Sequence, residues 1–278
     1  MGSQELTGKV ALVTGAARRG GIGRTTALLL ADLGADIACL DVARPPEHAP
    51  EHGVGSPGEL AELVAEIEAK GRRAIAVTAD VTNGAQVNEA VDRTVVELGS
   101  LDLCCAMAGG VGYGNGIAPL LSLDEPSWNW VIDVNLKGTW LTAAAAGRAM
   151  VAAGRGGRIV TIASSAALVG TNGNTGMGVY AAAKAGVITL TQNLAAELGP
   201  HGINVNAVSP GMIGTQASAP VREQFERSGR TDAVIGSIPL RRFGEAEEIA
   251  SIVAFLCGDG ASYITGDAIN ATGGKVLG

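Results

Sequence analysis

The stretch from Lys9 to Gly34 constrains the fold more than any other part of this chain. Lys9-Val-Ala-Leu-Val-Thr14 is a short apolar run with β-branched residues, which reads as a buried strand. Gly15-Ala-Ala-Arg-Arg-Gly-Gly-Ile-Gly23 follows, and Arg24 onward reads as a helix closed by Gly34. A strand, a glycine loop and a helix start in that order form a cradle for a dinucleotide. The glycines let the backbone approach a pyrophosphate, and the free N–H groups at the helix start bind it. A second strand, Asp36-Ile-Ala-Cys-Leu-Asp41, ends on an acid. Its distance from the loop suits a carboxylate that binds ribose hydroxyls.

The same rhythm continues to the end. Strand-like runs recur at 9–14, 36–41, 73–78, 101–107, 158–163, 203–208 and 267–270, and helical patterns fill about 22–33, 57–70, 84–98, 126–153, 178–198 and 245–257. Regular strand–helix alternation predicts an α/β fold, a Rossmann-type doubly wound parallel sheet of about seven strands with helices on both faces. No linker or composition break divides the 278 residues, so a single domain spanning 1–278 is expected. The 41 glycines and scarce aromatics suit close helix–sheet packing.

Tyr180-Ala-Ala-Ala-Lys184 lies in one of the predicted helices. Positions i and i+4 share a helix face, so a phenol lies beside an ammonium. A free tyrosine titrates near 10 and is no base at neutral pH. One charge at about 5 Å, at an effective dielectric of about 20, is worth roughly 3 kcal/mol, or about 2 pKa units. Lys184 is therefore expected to bring Tyr180 toward the working pH as a general base.

Taken with their order along the chain, these motifs resemble the short-chain dehydrogenase/reductase family over nearly the whole sequence. Thr14-Gly15 with Gly21-Ile22-Gly23 resembles its TGxxxGxG loop, Asp80-Val81 its adenine-side acid, and Tyr180 with Lys184 its YxxxK motif. Asn135 resembles the active-site helix asparagine, Ser164-Ser165 the catalytic serine segment, and Pro210-Gly211 with Thr215 the nicotinamide-side loop. Tyr263-Ile-Thr-Gly266 and Gly273-Gly274 resemble its C-terminal signature. The sequence departs from the family in three places. Five residues separate Gly15 from Gly21, where the family has three. The fourth strand ends Ala106-Met107-Ala108-Gly109 in place of NNAG, so the asparagines that brace sheet and cofactor loop are missing. Ser165 precedes Tyr180 by fifteen positions against thirteen, with the surplus in the Gly/Asn-rich stretch 170–178.

The resemblance implies an NAD(H)-dependent oxidoreductase that interconverts a secondary alcohol and a ketone. Asn135, Ser165, Tyr180 and Lys184 are the expected catalytic set, with Ser164 as a neighbour. Tyr180 takes the hydroxyl proton while hydride passes to the nicotinamide. Lys184 binds the nicotinamide ribose, and Asn135 holds a water leading to solvent. Cofactor contacts are expected from Gly15, Arg18, Arg19, Gly21, Ile22, Gly23, Asp41, Asp80, Val81, Ala108, Gly109, Tyr180, Lys184, Pro210, Gly211, Ile213 and Thr215. Substrate contacts are expected from Ser165, Tyr180, Gly110, Met177 and Gly211. Residues 216–238 correspond to the family's substrate lid. Asp41 favours NAD, because a carboxylate repels a 2′-phosphate. Arg18, Arg19 and Arg44 pull toward NADP, which is the less favoured cofactor. A non-catalytic dinucleotide-binding regulator on the same fold is one alternative. Another is an enzyme whose tightly held NAD is regenerated by an external redox partner, a reading suggested by the long loop after Asp41. An epimerase or enoyl reductase fits less well in length and in Tyr–Lys spacing.

A net charge of −7 makes nucleic acid and anionic membrane poor partners. The N-terminal segment is polar and lacks a signal-peptide core, and no apolar run reaches spanning length. The four cysteines show no metal or disulfide spacing, which suits a reducing cytoplasm. His48 and His52 sit among prolines that prevent an aligned metal site, so no metal is expected. The helices 126–153 and 178–198 carry apolar, small-residue positions, among them Val131, Val134, Leu141, Ala145, Ala182, Ala185, Ile188 and Leu190. In the resembled family the matching helices pair across a two-fold axis, which implies a homotetramer.

Overall fold

Both faces of Val10–Thr14 are buried, which is why this run is apolar throughout rather than alternating. It is β1 of a seven-stranded sheet in a computed structural model that describes residues 5–43, 55–111, 118–169 and 175–276. The other strands are β2 (Asp36–Asp41), β3 (Ala74–Thr78), β4 (Leu103–Ala106), β5 (Gly157–Ile162), β6 (Ile203–Pro210) and β7 (Ala268–Ala271). All pairs are parallel, in the order β3-β2-β1-β4-β5-β6-β7. The doubly wound sheet expected from the alternation is present. The order reverses between β1 and β4, and the crevice outside the C-terminal strand ends at that point is where such sheets bind ligands.

Among the described residues, ten α-helices connect and cover the strands: α1 (Ile22–Asp32), α2 (Pro57–Ala69), α3 (Gly84–Leu98), α4 (Glu125–Ile132), α5 (Gly138–Ala153), α6 (Ala166–Val169), α7 (Gly178–Leu198), α8 (Ala219–Arg227), α9 (Thr231–Gly236) and α10 (Ala246–Cys257). Successive strand residues point to opposite faces, and each face has its own core. Ala11, Val13, Ile37 and Cys39 pack with α1, α2 and α10, through Leu30, Leu63 and Val253 among others. Val10, Leu12, Ala38 and Leu40 pack with α3, α5 and α7, through Val91, Ala146 and Leu194 among others. All four cysteines are free and buried. Among the described residues no helix is long and apolar enough to cross a membrane, and no group of side chains is arranged to hold a metal. His48, His52 and Arg44 lie outside the described residues.

The expected uninterrupted helix over 126–153 is instead two α-helices joined by a π-helical turn, Asp133–Lys137. A π turn leaves a carbonyl without its usual i+4 donor. At its start Asn135 Nδ2 donates to Val131 O at 2.9 Å. Farther on, the Thr139 hydroxyl donates to Asn135 O at 2.7 Å. The wider turn carries Asn135 inward, where it is completely enclosed.

Candidate active site

Two glycines decide how closely α1 seats on β1. A Cβ at Gly23 would lie 2.2 Å from Gly15 O, and one at Gly15, whose φ is +65°, would lie 2.9 Å from Ala108 Cα. The backbone therefore closes on itself without side chains, and the helix N-terminus faces an open cradle. The wall opposite is braced without the missing asparagines: the Ala108 N–H donates to Thr14 Oγ1 at 3.0 Å. Gly110 is held from both sides by Asn135, whose Oδ1 accepts its N–H at 3.1 Å and whose Nδ2 donates to its carbonyl at 2.8 Å.

These segments border one cavity of about 560 Å³ along the C-terminal strand ends. At the β1–β2–β3 end it is lined by Gly15, Arg18, Gly21, Ile22, Gly23, Asp41, Asp80 and Val81. Asp41 is buried and accepts the Ala17 N–H at 2.9 Å and the Ala43 N–H at 3.0 Å. The Asp80 carboxylate accepts the Thr82 N–H and hydroxyl. At the other end lie Ala108, Gly109, Gly110, Ser164, Ser165, Met177, Tyr180, Lys184, Pro210, Gly211, Ile213 and Thr215. The lid segment lies beside this end, with Ser218, Val221, Phe225 and Val234 facing the cavity. Asn135 is not in the lining; it stands behind the wall as its anchor.

Arg19, expected as a cofactor contact, is absent from the cavity wall. Its guanidinium is paired with Glu62 of α2 and its N–H donates to Glu59. Arg24 is also drawn to α2. Its buried guanidinium donates to Ala17 O at 2.9 Å, Glu59 O at 2.8 Å and the Glu66 carboxylate at 2.9 Å. The acids 59, 62 and 66, spaced by one helical turn, are the sequence signal for both pairings. Gly55 belongs to the cavity wall, with no motif in the sequence to mark it. A Cβ there would lie 2.3 Å from Ala17 Cβ. No sequence pattern distinguishes Trp130, which lines the cavity, from Trp128, which does not.

The serine assignment shifts by one residue. The Tyr180 hydroxyl is hydrogen-bonded to Ser164, not to Ser165. Ser164 Oγ also accepts the Ala166 N–H at 3.2 Å. The Ser165 N–H donates to Pro210 O at 2.9 Å, which ties this segment to β6. Lys184 is 2% exposed; its Nζ donates to Ile162 O at 2.8 Å and lies 5.7 Å from the Tyr180 ring centre. Burial lowers the Lys184 pKa to about 7. Burial also pushes the Tyr180 phenol above its usual value, against the opposing pull of its bond to Ser164. The expected lowering of Tyr180 by a lysine charge is thus not a property of the chain alone. In this site burial dominates and drives both groups toward their neutral forms.

A cradle at the switch point of a parallel sheet, opening into a Tyr–Ser–Lys cluster, defines a Rossmann-fold oxidoreductase. A family model described as enoyl-(acyl carrier protein) reductase matches residues 15–275. The chain belongs to the short-chain dehydrogenase/reductase family. It is 38% identical over 269 residues to an NAD-dependent oxidoreductase of Mycobacterium tuberculosis, covering 95% of this chain and 94% of that protein. It is 39% identical to a 3-oxoacyl-[acyl-carrier-protein] reductase of Staphylococcus epidermidis, covering 97% and 99%. Carveol dehydrogenase from Mycobacterium avium, solved in complex with NAD, superposes with a TM-score of 0.90 at 33% identity, covering 99% of this chain and 100% of that one. An NAD+-bound xylitol dehydrogenase gives 0.84 at 33% identity, covering 98% and 100%.

The buried lysine has a consequence for stability. Unfolded lysine titrates near 10.5 and folded Lys184 near 7, so between these values the unfolded chain holds a proton that the folded chain rejects. Stability then rises with pH across that window: the penalty is full below about 7 and gone above 10.5. The raised Tyr180 opposes this only above about 10. In urea unfolding, the wild type minus Lys184→Met difference should move in favour of wild type by about 2 kcal/mol between pH 7 and pH 9. A difference that stays flat with pH contradicts a depressed Lys184.

Proposed function

We propose that this protein interconverts a secondary alcohol and a ketone using NAD(H), with Tyr180 as the general acid/base. The observation that carries this reading is the Tyr180–Ser164 hydrogen bond in the cavity that also holds Lys184 and the glycine cradle. The chain fits the dinucleotide. Gly15 and Gly23 leave the cradle free of side chains, and Asp41 presents a carboxylate to the cavity. Bound NAD would supply the carbon that accepts or returns hydride and, when oxidised, a positive charge to the site.

The chain's residues do the rest. Ser164 donates a hydrogen bond to the substrate oxygen and holds it against the Tyr180 hydroxyl. Tyr180 removes the alcohol proton in oxidation and returns it to the forming hydroxyl in reduction. Lys184, with a pKa near 7, exchanges a proton at working pH and stabilises the phenolate when charged. Asn135 fixes Gly110, and with it the wall of the reacting end. The segment at 216–238 covers the substrate, since Val221, Phe225 and Val234 already line the cavity. A second reading is that the NAD is held too tightly to exchange. It is favoured by Gly55, which returns from the loop after Asp41 onto the glycine loop.

NAD is favoured over NADP by Asp41 and by the pairing of Arg19 with Glu62. The assembly reading is a homotetramer working in the cytoplasm. Val131 and Ala145 are buried within the subunit and do not form its contact face. Trp140 on α5 and Tyr263 near the C-terminus are exposed large side chains that two subunit contacts can cover.

An NAD+-reduction screen over secondary alcohols should yield turnover. Tyr180→Phe and Ser164→Ala should each cut it by roughly 10²–10⁴ with NAD binding nearly intact. Ser165→Ala should keep most activity; the reverse pattern for the two serines returns the role to Ser165. Wild type should prefer NAD over NADP by about 10²-fold in kcat/KM, and Asp41→Ala should erode this mainly by losing NAD. Nucleotide that survives dialysis would establish the non-exchanging variant. Light scattering at micromolar concentration should give a tetrameric mass, and a monomeric mass refutes the assembly.

A further inference from the structure

Two cations line the reacting end of the cavity, and the proposed reaction does not use them. Arg230 joins α8 to α9, and Lys275 follows β7. Neither side chain has a hydrogen-bond or ion-pair partner among the described residues. Arg230 is exposed at the rim, and its N–H donates to the carbonyl of Phe225, a lining residue. Lys275 is half-buried in a tail that packs on the lid's exit. A Cβ at Gly273 would lie 2.8 Å from Ile238 Cγ2, and one at Gly274 would lie 3.0 Å from Pro239 Cγ.

No acid that lines the cavity is ion-paired with either cation. Of the acids lining the cavity, Asp41 and Asp80 belong to the β2–β3 end, and Asp133 is ion-paired with Lys137 at 3.6 Å. The whole chain carries −7, so general attraction of anions is not the source of this pattern. The pyrophosphate site does not account for it either. It lies at the loop after β1, and β7 is four strands away, about 19 Å at the usual spacing. The cavity that holds Tyr180 and the two cations also has apolar lining from Trp130, Met177, Val221, Phe225 and Val234.

We propose that the substrate has an apolar body with an anionic group remote from the reacting hydroxyl, and that Lys275 and Arg230 bind that group. This rests on the alcohol/ketone reading and adds the substrate's class: an amphipathic hydroxy or oxo compound that carries a carboxylate or phosphate. The hydroxyl sits at Tyr180, the chain along the apolar wall, and the anion at the lid-and-tail mouth.

The test is calorimetric binding of octanoate, octanamide and octyl phosphate to the full-length protein saturated with NAD. Octanoate should bind at least about tenfold tighter than octanamide, as a charge-assisted bond implies, and the gap should shrink in high salt. The gap should fall below about threefold in the Lys275→Met, Arg230→Met double variant and persist in Lys275→Arg. Octyl phosphate binding tighter than octanoate assigns the anion to a phosphate-bearing carrier; weaker binding assigns it to a carboxylate of the substrate itself. Equal binding of octanoate and octanamide, no binding of octanoate at millimolar concentration, or a gap unmoved by the double variant overturns the proposal. Failure of the alcohol/ketone reading would appear separately, as turnover that survives Tyr180→Phe while the octanoate preference stands.

Discussion

Lys184 carries its amine into a space bounded by three backbone segments, and the reacting end of the site is organised around it. Among the described residues its hydrogen bond runs to Ile162 O at the end of β5, which draws α7 onto the sheet. A Cβ at Gly109 would lie 3.2 Å from that amine and 2.7 Å from Asn135 Oδ1, so the end of β4 must be glycine there. Asn135 in turn reaches Gly110 only because the helix opens into a π turn. A buried amine, a side-chain-free strand end and a distorted helix form a single arrangement; each makes sense only with the other two.

The fold was legible because its strands are buried on both faces. Runs such as Val10–Thr14 and Asp36–Asp41 are apolar without alternation, and glycines or acids mark where they stop. Apart from the 126–153 segment, the β-strands and the long helices lie within a few residues of their expected bounds. The π turn was not legible, since Asp133 to Lys137 contains nothing that disfavours an ordinary helix. What selects it is the tertiary bond from Asn135 to Gly110.

That Ser164 rather than Ser165 meets the phenol has a related reason. Counting back from Tyr180 crosses the 170–178 stretch, whose length does not fix a direction. Counting forward from β5 does fix one. Ser165 N–H bonds to Pro210 O, so this residue continues the β5–β6 contact, and Ser164 meets the phenol. Arg19 lies off the cavity wall because the acid row on α2 binds it, a pairing the glycine loop does not reveal by itself. Where the family has strand-end asparagines, this chain ties the wall to β1 through Thr14 Oγ1, which accepts the Ala108 N–H.

The buried Arg24 gives the glycine loop a second owner. One guanidinium bonds the loop at Ala17, the first turn of α2 at Glu59, and the next turns at Glu66. The loop's shape is thus set partly by a helix that begins some thirty residues later and contributes no residue to the cavity lining. Substitutions on α2 have a mechanical route to nucleotide affinity, whereas the loop itself, confined by Gly15, Gly23 and Gly55, has almost no freedom to vary. Relatives with nearly the same glycine loop can therefore differ in how firmly they grip a nucleotide, with the difference encoded on the helix behind it.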